Sequence, residues 1–181
     1  MIDDWSHSRE DTPREYRGFQ YDIDRQWAAD ADLSDIFIDL TSELQNHYHI
    51  SRGLLLLKDQ GSTRFIAVST WNNGRTRKNL SLRIPSVSSL FEKVAEHGQV
   101  FSESFCDLFS GNSFERNLLI DDSAQSYVLQ PLKLCGEVVG LIAYSSEDPT
   151  VFTTFEDGAL ADVANQLAQR IGNRLSEKVS S

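Results

Sequence analysis

The chain is poor in several things that larger classes of protein depend on. With two cysteines among 181 residues it cannot be held by a disulfide framework, which makes the cytoplasm the default location. Long apolar runs are missing. Stretches such as Gly53-Leu54-Leu55-Leu56-Leu57 fall far short of the roughly 20 residues that span a bilayer. The amino-terminal MIDDWSHSRED is acidic and has no apolar core, so it does not read as a secretory signal. Positive charge is also scarce: 17 Lys and Arg face 27 Asp and Glu, a formal net charge of -10. Such a field repels phosphate backbones and argues against nucleic acid as a partner. The nearest basic patch, Arg75, Arg77 and Lys78 with Arg83 beyond, reads as a solvated loop and strand start.

Chemistry-bearing motifs are equally sparse. There is no Gly-rich phosphate loop, no HExxH and no GxSxG. His47 and His49 lie two apart at a helix end and point different ways, and no Cys/His/Asp set at zinc spacing joins them or His97. Asp121-Asp122 reads as a polar loop start. No catalytic residue, metal ligand or cofactor is assigned on these patterns.

What is present is a hairpin feeding a long helix. In YVLQPLKLCGEVVGLIAY, from Tyr127 to Tyr144, two β-branched runs flank Leu134-Cys135-Gly136-Glu137, with Gly at a turn position. Simple alternation there puts Val139, Leu141 and Ala143 on one face and Val138, Ile142 and Tyr144 on the other. The period then shifts to 3.6. Leu160, Val163, Leu167, Ile171 and Leu175 form a stripe with Ala164 and Ala168 beside it, behind a capping box of Thr153 and Glu156. This helix reaches to about Lys178, and its small residues suit a dimer seam.

Upstream, Leu33, Ile36, Phe37, Leu40, Leu44 and Tyr48 predict a helix over Leu33–Tyr48, with Asp32 as N-cap and Asp35 in the reciprocating position. Strands are expected at Arg52–Lys58 and Arg64–Thr70 around the turn Asp59-Gln60-Gly61-Ser62. Asn72-Asn73-Gly74 breaks the chain again, and a third strand is expected over Asn79–Ile84, stopping at Pro85. A helix from Ser86 to His97 ends at Gly98. Residues 99–126 keep no clean period and are expected to form loops and short helices. Residues 1–30 form an acidic extension that docks through Trp5, Tyr16, Phe19, Tyr21 and Trp27 or stays disordered, and 31–181 form one domain. The ending Leu175-Ser176-Glu177-Lys178 suits the amino-terminal part of a longer signalling protein, and a free-standing adaptor is equally allowed.

This element order resembles the GAF domain, the small-molecule-sensing relative of the PAS fold. Four passages carry the likeness. They are Leu82-Arg83-Ile84-Pro85 with the helix ending Val94-Ala95-Glu96-His97-Gly98-Gln99-Val100, Ser126–Leu132, Gly136–Ile142, and Phe155-Glu156-Asp157 through Ala168. The resemblance implies an α/β (α+β) fold in which a central antiparallel sheet carries the terminal helices on one face and an irregular pocket-capping segment on the other.

It also implies a ligand pocket walled by the sheet and by residues 101–127. The contacts expected by position are Trp71, Phe101, Phe105, Cys106, Phe109, Phe114, Leu118 and Tyr127, with Ser102, Ser104, Asn117, Asp121 and Gln130 to orient a ligand. The cyclic-nucleotide signature and the bilin Cys-His pair of the family cannot be laid on this chain. Three functions follow: a cytoplasmic sensor that binds a small molecule and relays through dimerising terminal helices to an effector kinase or regulator; a dimerisation and interaction module without ligand; or a thiol-based reductase of free methionine sulfoxide working through Cys106. A membrane or nucleic-acid partner is not expected.

Overall fold

In the computed structural model, residues 32–59, 61–104, 109–152 and 159–180 are described. The acidic extension, Phe105 and Cys106, the Thr153–Glu156 capping box and the side chain of Leu175 lie outside those described residues.

Helix α1 occupies Leu33–Tyr48, where the apolar period places it. Asp32 caps it by accepting the Ser34 amide at 2.7 Å, which satisfies one of the orphan donors of the first turn. Asp35 does not reciprocate. Its carboxylate instead takes Lys78 at 2.7 Å, tying the helix to the far edge of the sheet. The helix closes on His49, left-handed at φ 52°, whose amide donates to the Gln45 carbonyl at 3.2 Å.

Among the described residues seven strands form one sheet: β1 (Ile50–Lys58), β2 (Phe65–Asn72), β3 (Arg75–Arg77), β4 (Leu82–Arg83), β5 (Phe101–Ser104), β6 (Ser126–Leu134) and β7 (Glu137–Ser146). The order is β3-β2-β1-β7-β6-β5, with β4 also on β2, and every pairing is antiparallel. The third strand expected over Asn79–Ile84 is a correction. Asn73 and Gly74, both at positive φ, close a two-residue turn that returns the chain at once as β3, and only Leu82–Arg83 of the expected run pairs.

Helix α2 (Leu90–His97) starts four residues later than expected. Ser88 sits at φ 55°, and Ser89 takes the N-cap, accepting the Glu92 amide at 3.1 Å. The region without a clean period holds the short helix α3 (Ser113–Leu119) and also β5, which the pattern had not shown. Helix α4 (Ala159–Ser180) ends the described chain.

Helices α1 and α4 cover one face of the sheet, and α2 and α3 cover the other. The first core joins Phe37, Leu40 and Leu44 to Ile142, Tyr144, Leu160, Val163 and Leu167. The second joins Leu54, Leu56, Phe91 and Leu119 to Tyr127, Leu129, Leu141 and Ala143. Register slips once between β6 and β7: Leu132 faces Gly140, but Lys133 faces Val138. The extra residue reverses the alternation below it. Val138 therefore joins the face of Leu141 and Ala143, and Val139 the face of Tyr144, the opposite of simple period-two counting. Pro131 lies past Leu129, the last β6 residue that β5 reaches, so its missing N–H falls where β6 has a strand on one side only.

Two glycines are required by close approach. A Cβ on Gly140 would lie 2.5 Å from the Leu56 carbonyl oxygen of the neighbouring strand. One on Gly53 would lie 2.8 Å from the ring of Tyr144, its cross-strand partner. That vacancy lets Tyr144 lie stacked on Phe37, with centroids 6.0 Å apart, and place its hydroxyl 2.9 Å from Thr41 Oγ1.

Candidate functional site

The Asn73-Gly74 turn sets the register of the candidate site. With Asn72 opposite Arg75 and Thr70 opposite Arg77 on β3, and with Arg52 opposite Asn72 and Leu54 opposite Thr70 on β1, two cross-strand rows form. Directly paired residues point to the same face. Arg52, Asn72 and Arg75 make one row, and Leu54, Thr70 and Arg77 make the next. Leu54 belongs to the core under α2 and α3, so all three arginines stand on that face. A slip of one residue would send them to the opposite face.

The rows floor a cleft of about 420 Å³, within the size range of small-molecule sites. Leu80 and Leu82 close it on the edge side, and Asn117 and Leu118 of α3 close it opposite. The edge wall is held by the Leu80 amide, which donates to the Val68 carbonyl at 2.9 Å, and by the Asn79 amide on Ser34 Oγ at 3.2 Å. Arg52 bridges floor to wall. Its Nη1 donates to the Asn117 carbonyl at 2.6 Å and the Leu118 carbonyl at 3.4 Å, and its Nε lies 4.0 Å from Asp121 Oδ2. The guanidinium thus meets the carbonyl end of α3, where a cation is favoured. Its buried Nε makes no hydrogen bond among the described residues. Arg75 and Arg77 are exposed and have no carboxylate partner among the described residues.

Helix α3 is fixed at its other end by Glu115, a fully buried carboxylate. The pattern Asn112-x-x-Glu115 makes a reciprocal cap: the Glu115 amide donates to Asn112 Oδ1 at 2.8 Å, and the Asn112 amide to Glu115 Oε1 at 3.2 Å. The same carboxylate reaches across to the start of α2, where Ser89 Oγ donates at 2.5 Å, the Leu90 amide at 2.8 Å and the Phe91 amide at 3.2 Å. One side chain therefore caps two helices, and both positive helix ends on this face are already answered by a protein carboxylate.

The residues expected from sequence fall into separate groups. Trp71, Asn117 and Leu118 border the cleft, although Trp71 also packs in the core under α1 and α4. Asp121 stands beside Arg52 and accepts from Ser123 Oγ at 2.9 Å. Phe101 and Phe109 pack on the ring of Tyr127, with centroids 6.1 and 5.2 Å away, and Phe114 packs against the same core. Ser102 is exposed on β5. Ser104 Oγ donates to the Pro149 carbonyl at 2.6 Å, and Gln130 Nε2 donates to the Pro131 carbonyl at 3.3 Å. Phe105 and Cys106 lie outside the described residues.

Arg52, Asn72, Thr70, Arg75 and Arg77 had not been assigned to a site. The available signal is Asn-Gly between two alternating runs, which fixes the partners of Arg75 and Arg77. Without β3, these two arginines read as loop charge. Cys135 is an exposed free thiol at φ 53° in the β6–β7 turn. That turn lies by the Lys58 end of β1, six residues or about 20 Å from Arg52. A second hollow of about 650 Å³ lies there too, lined by Lys58, Asp59 and Glu137 with Val138, Val139 and Ile171. Its charges are mixed in sign, one lysine against two carboxylates.

The sequence pattern of the GAF domain matches residues 32–171. The chain belongs to the GAF domain family, whose members are sensory and regulatory domains. Solved structures agree on the fold. The GAF domain of a phosphoenolpyruvate-protein phosphotransferase from Coxiella burnetii has a TM-score of 0.72 at 16% identity, covering 94% of this chain and 98% of that one. The GAF domain of a two-component sensor histidine kinase from Bacillus halodurans has a TM-score of 0.63 at 18% identity, over 80% of this chain and 97% of that one. A type II free methionine-R-sulfoxide reductase from Thermoplasma acidophilum has a TM-score of 0.55 at 13% identity, over 78% and 96%. None of the curated protein sequences matches this chain. Among the described residues no helix is long and apolar enough to cross a membrane.

Proposed function

We propose that this chain senses a small molecule and relays its presence through α1 and α4, paired across a homodimer, to an effector kinase or regulator. The observation that carries the sensing part is the cleft between β1–β3 and α3. Arg52 ties its floor to α3 by hydrogen bonds to the Asn117 and Leu118 carbonyls, so a ligand that engages this guanidinium bears directly on the position of α3. The proposed contacts are Arg52, Asn72, Arg75, Arg77, Asn117 and Leu118, with Trp71 at the border. The aromatic group around Tyr127 (Phe101, Phe109 and Phe114) is the second proposed region.

Native mass spectrometry of freshly purified protein tests both parts, with small-molecule analysis after denaturation. The expected result is a dimer that carries a reproducible small molecule. A monomer across the working concentration range would sink the relay, and protein that neither carries nor takes up any small molecule would sink the sensor.

A second reading, dimerisation without ligand, is favoured by the course of α4. Gly172 lies against the Leu134 side chain near the hairpin tip, and the helix continues from Asn173 to Ser180. A dimer that stays free of small molecules favours this reading over the first.

A further inference from the structure

We infer that the ligand of this cleft is a small oxyanion, a carboxylate or phosphate attached to an apolar body, read by Arg75 and Arg77 with Arg52 lining the cleft beside them; this rests on the reading that the cleft is the ligand site. The first support is charge. In a chain of net charge -10, three guanidinium groups share one face of three adjacent strands. Arg75 and Arg77 are about 7 Å apart along β3, and Arg52 is about 10 Å from Arg75 across two strand spacings. Side chains of that length can converge on one group, and the planar guanidinium suits bidentate carboxylate or phosphate binding.

The second support is how little carboxylate answers these arginines among the described residues. Arg52 has one loose ion pair, its Nε 4.0 Å from Asp121 Oδ2. Arg75 and Arg77 have no carboxylate partner among the described residues. Like charges held this close repel one another, and a bound anion relieves that repulsion.

The third is competition. The other place on this face where an anion would settle, the start of α2, already holds the Glu115 carboxylate. The apolar side of the cleft, Leu54, Leu80, Leu82 and Leu118, calls for a ligand with a hydrophobic body rather than a bare ion.

The test is a titration of the whole chain followed by amide, arginine Nε–H and tryptophan indole NMR signals, at constant ionic strength in chloride. The probes are phenylacetate, phenylacetamide and phenyl phosphate. Saturable shifts at Asn72, Arg75, Arg77 and Asn117 are expected with an anionic probe and not with the amide. Phenylacetate against phenyl phosphate then tells carboxylate from phosphate. In the double variant R75Q/R77Q the anion should bind at least about tenfold more weakly, while the spectrum of both cores stays unchanged. If the amide shifts the cleft signals as strongly as the acid, the cleft is a ligand site but the anion inference falls. If no probe shifts them, both fall. Unsaturable shifts shared by every surface arginine would also overturn the inference.

Discussion

The two faces of this sheet are held by different physics. Under α1 and α4 the contacts are apolar and closed. Stripes of Leu, Ile and Phe meet alternating strand residues, and the few polar groups, such as the Tyr144 hydroxyl on Thr41, bond to each other inside the core. Under α2 and α3 a smaller apolar core is pinned by side-chain tethers, Glu115 across the two helices and Arg52 from sheet to α3, and it opens into the cleft. A face closed by packing resists change everywhere at once. A face held by a few polar ties can loosen locally, and a site that must respond to a ligand benefits from that.

The comparison breaks most sharply at Phe37. Phe37→Ala removes a fully buried ring stacked on Tyr144 and should cost about 3–5 kcal/mol. Urea unfolding should show it, with hydrogen-exchange protection falling on both faces together. Glu115→Ala comes next. It leaves the Ser89, Leu90, Phe91 and Asn112 donors without their acceptor, at a cost on the order of 3 kcal/mol. Here exchange should rise first in α2 and α3 while α1 and α4 stay protected. Uniform loss of protection would show that the two faces are one cooperative unit. Glu115→Gln, which keeps one acceptor oxygen, should fall between Ala and the parent.

Gly140→Ala sharpens the comparison from the shared sheet. Its Cβ meets the rigid Leu56 carbonyl, so strands β1 and β7 must part, at about 1–3 kcal/mol. A thermal midpoint unchanged from the parent would count against the close approach.

The smallest effect belongs to Lys78 and Asp35. Hydrogen bonding to Asp35, with its charge close by, raises the Lys78 pKa above the usual lysine value. A raised lysine pKa stabilises the fold fully below the ordinary value, and that contribution is lost as pH rises through the raised one. The pair is exposed, so the effect is slight. Lys78→Met should leave stability unchanged within error from neutral pH to about 10, and any difference from the parent should shrink further in alkali. A difference that grew with pH would contradict the pairing.

Much of this architecture was legible in the chain. The span of α1, the Leu134–Glu137 hairpin, the glycine end of α2 and the stripe of α4 all follow from local period and turn chemistry. Asp32 was readable as a cap, whereas the partner of Asp35 was not, because Lys78 lies 43 residues away. Ser86 looked like a helix start, yet Ser89 had the competing claim once Glu92 and Glu115 were both in place. Of the candidate site, Trp71, Asn117 and Leu118 border the cleft, while Arg75 and Arg77 read as loop charge because a three-residue strand is too short to show a period.

The local sequence sets where helices and hairpins form, because those signals depend on neighbours within a few residues: caps, apolar spacing, and Asn or Gly at positive φ. It also determined that positive charge would be scarce and that Arg75 and Arg77 would stand out against it. Packing across the sheet sets which face each strand residue takes beyond the bulge at Val139, which helix ends Glu115 caps, and that Arg52 joins Arg75 and Arg77 over one cleft. Those outcomes depend on the register between strands far apart in the chain, and one added residue reverses them.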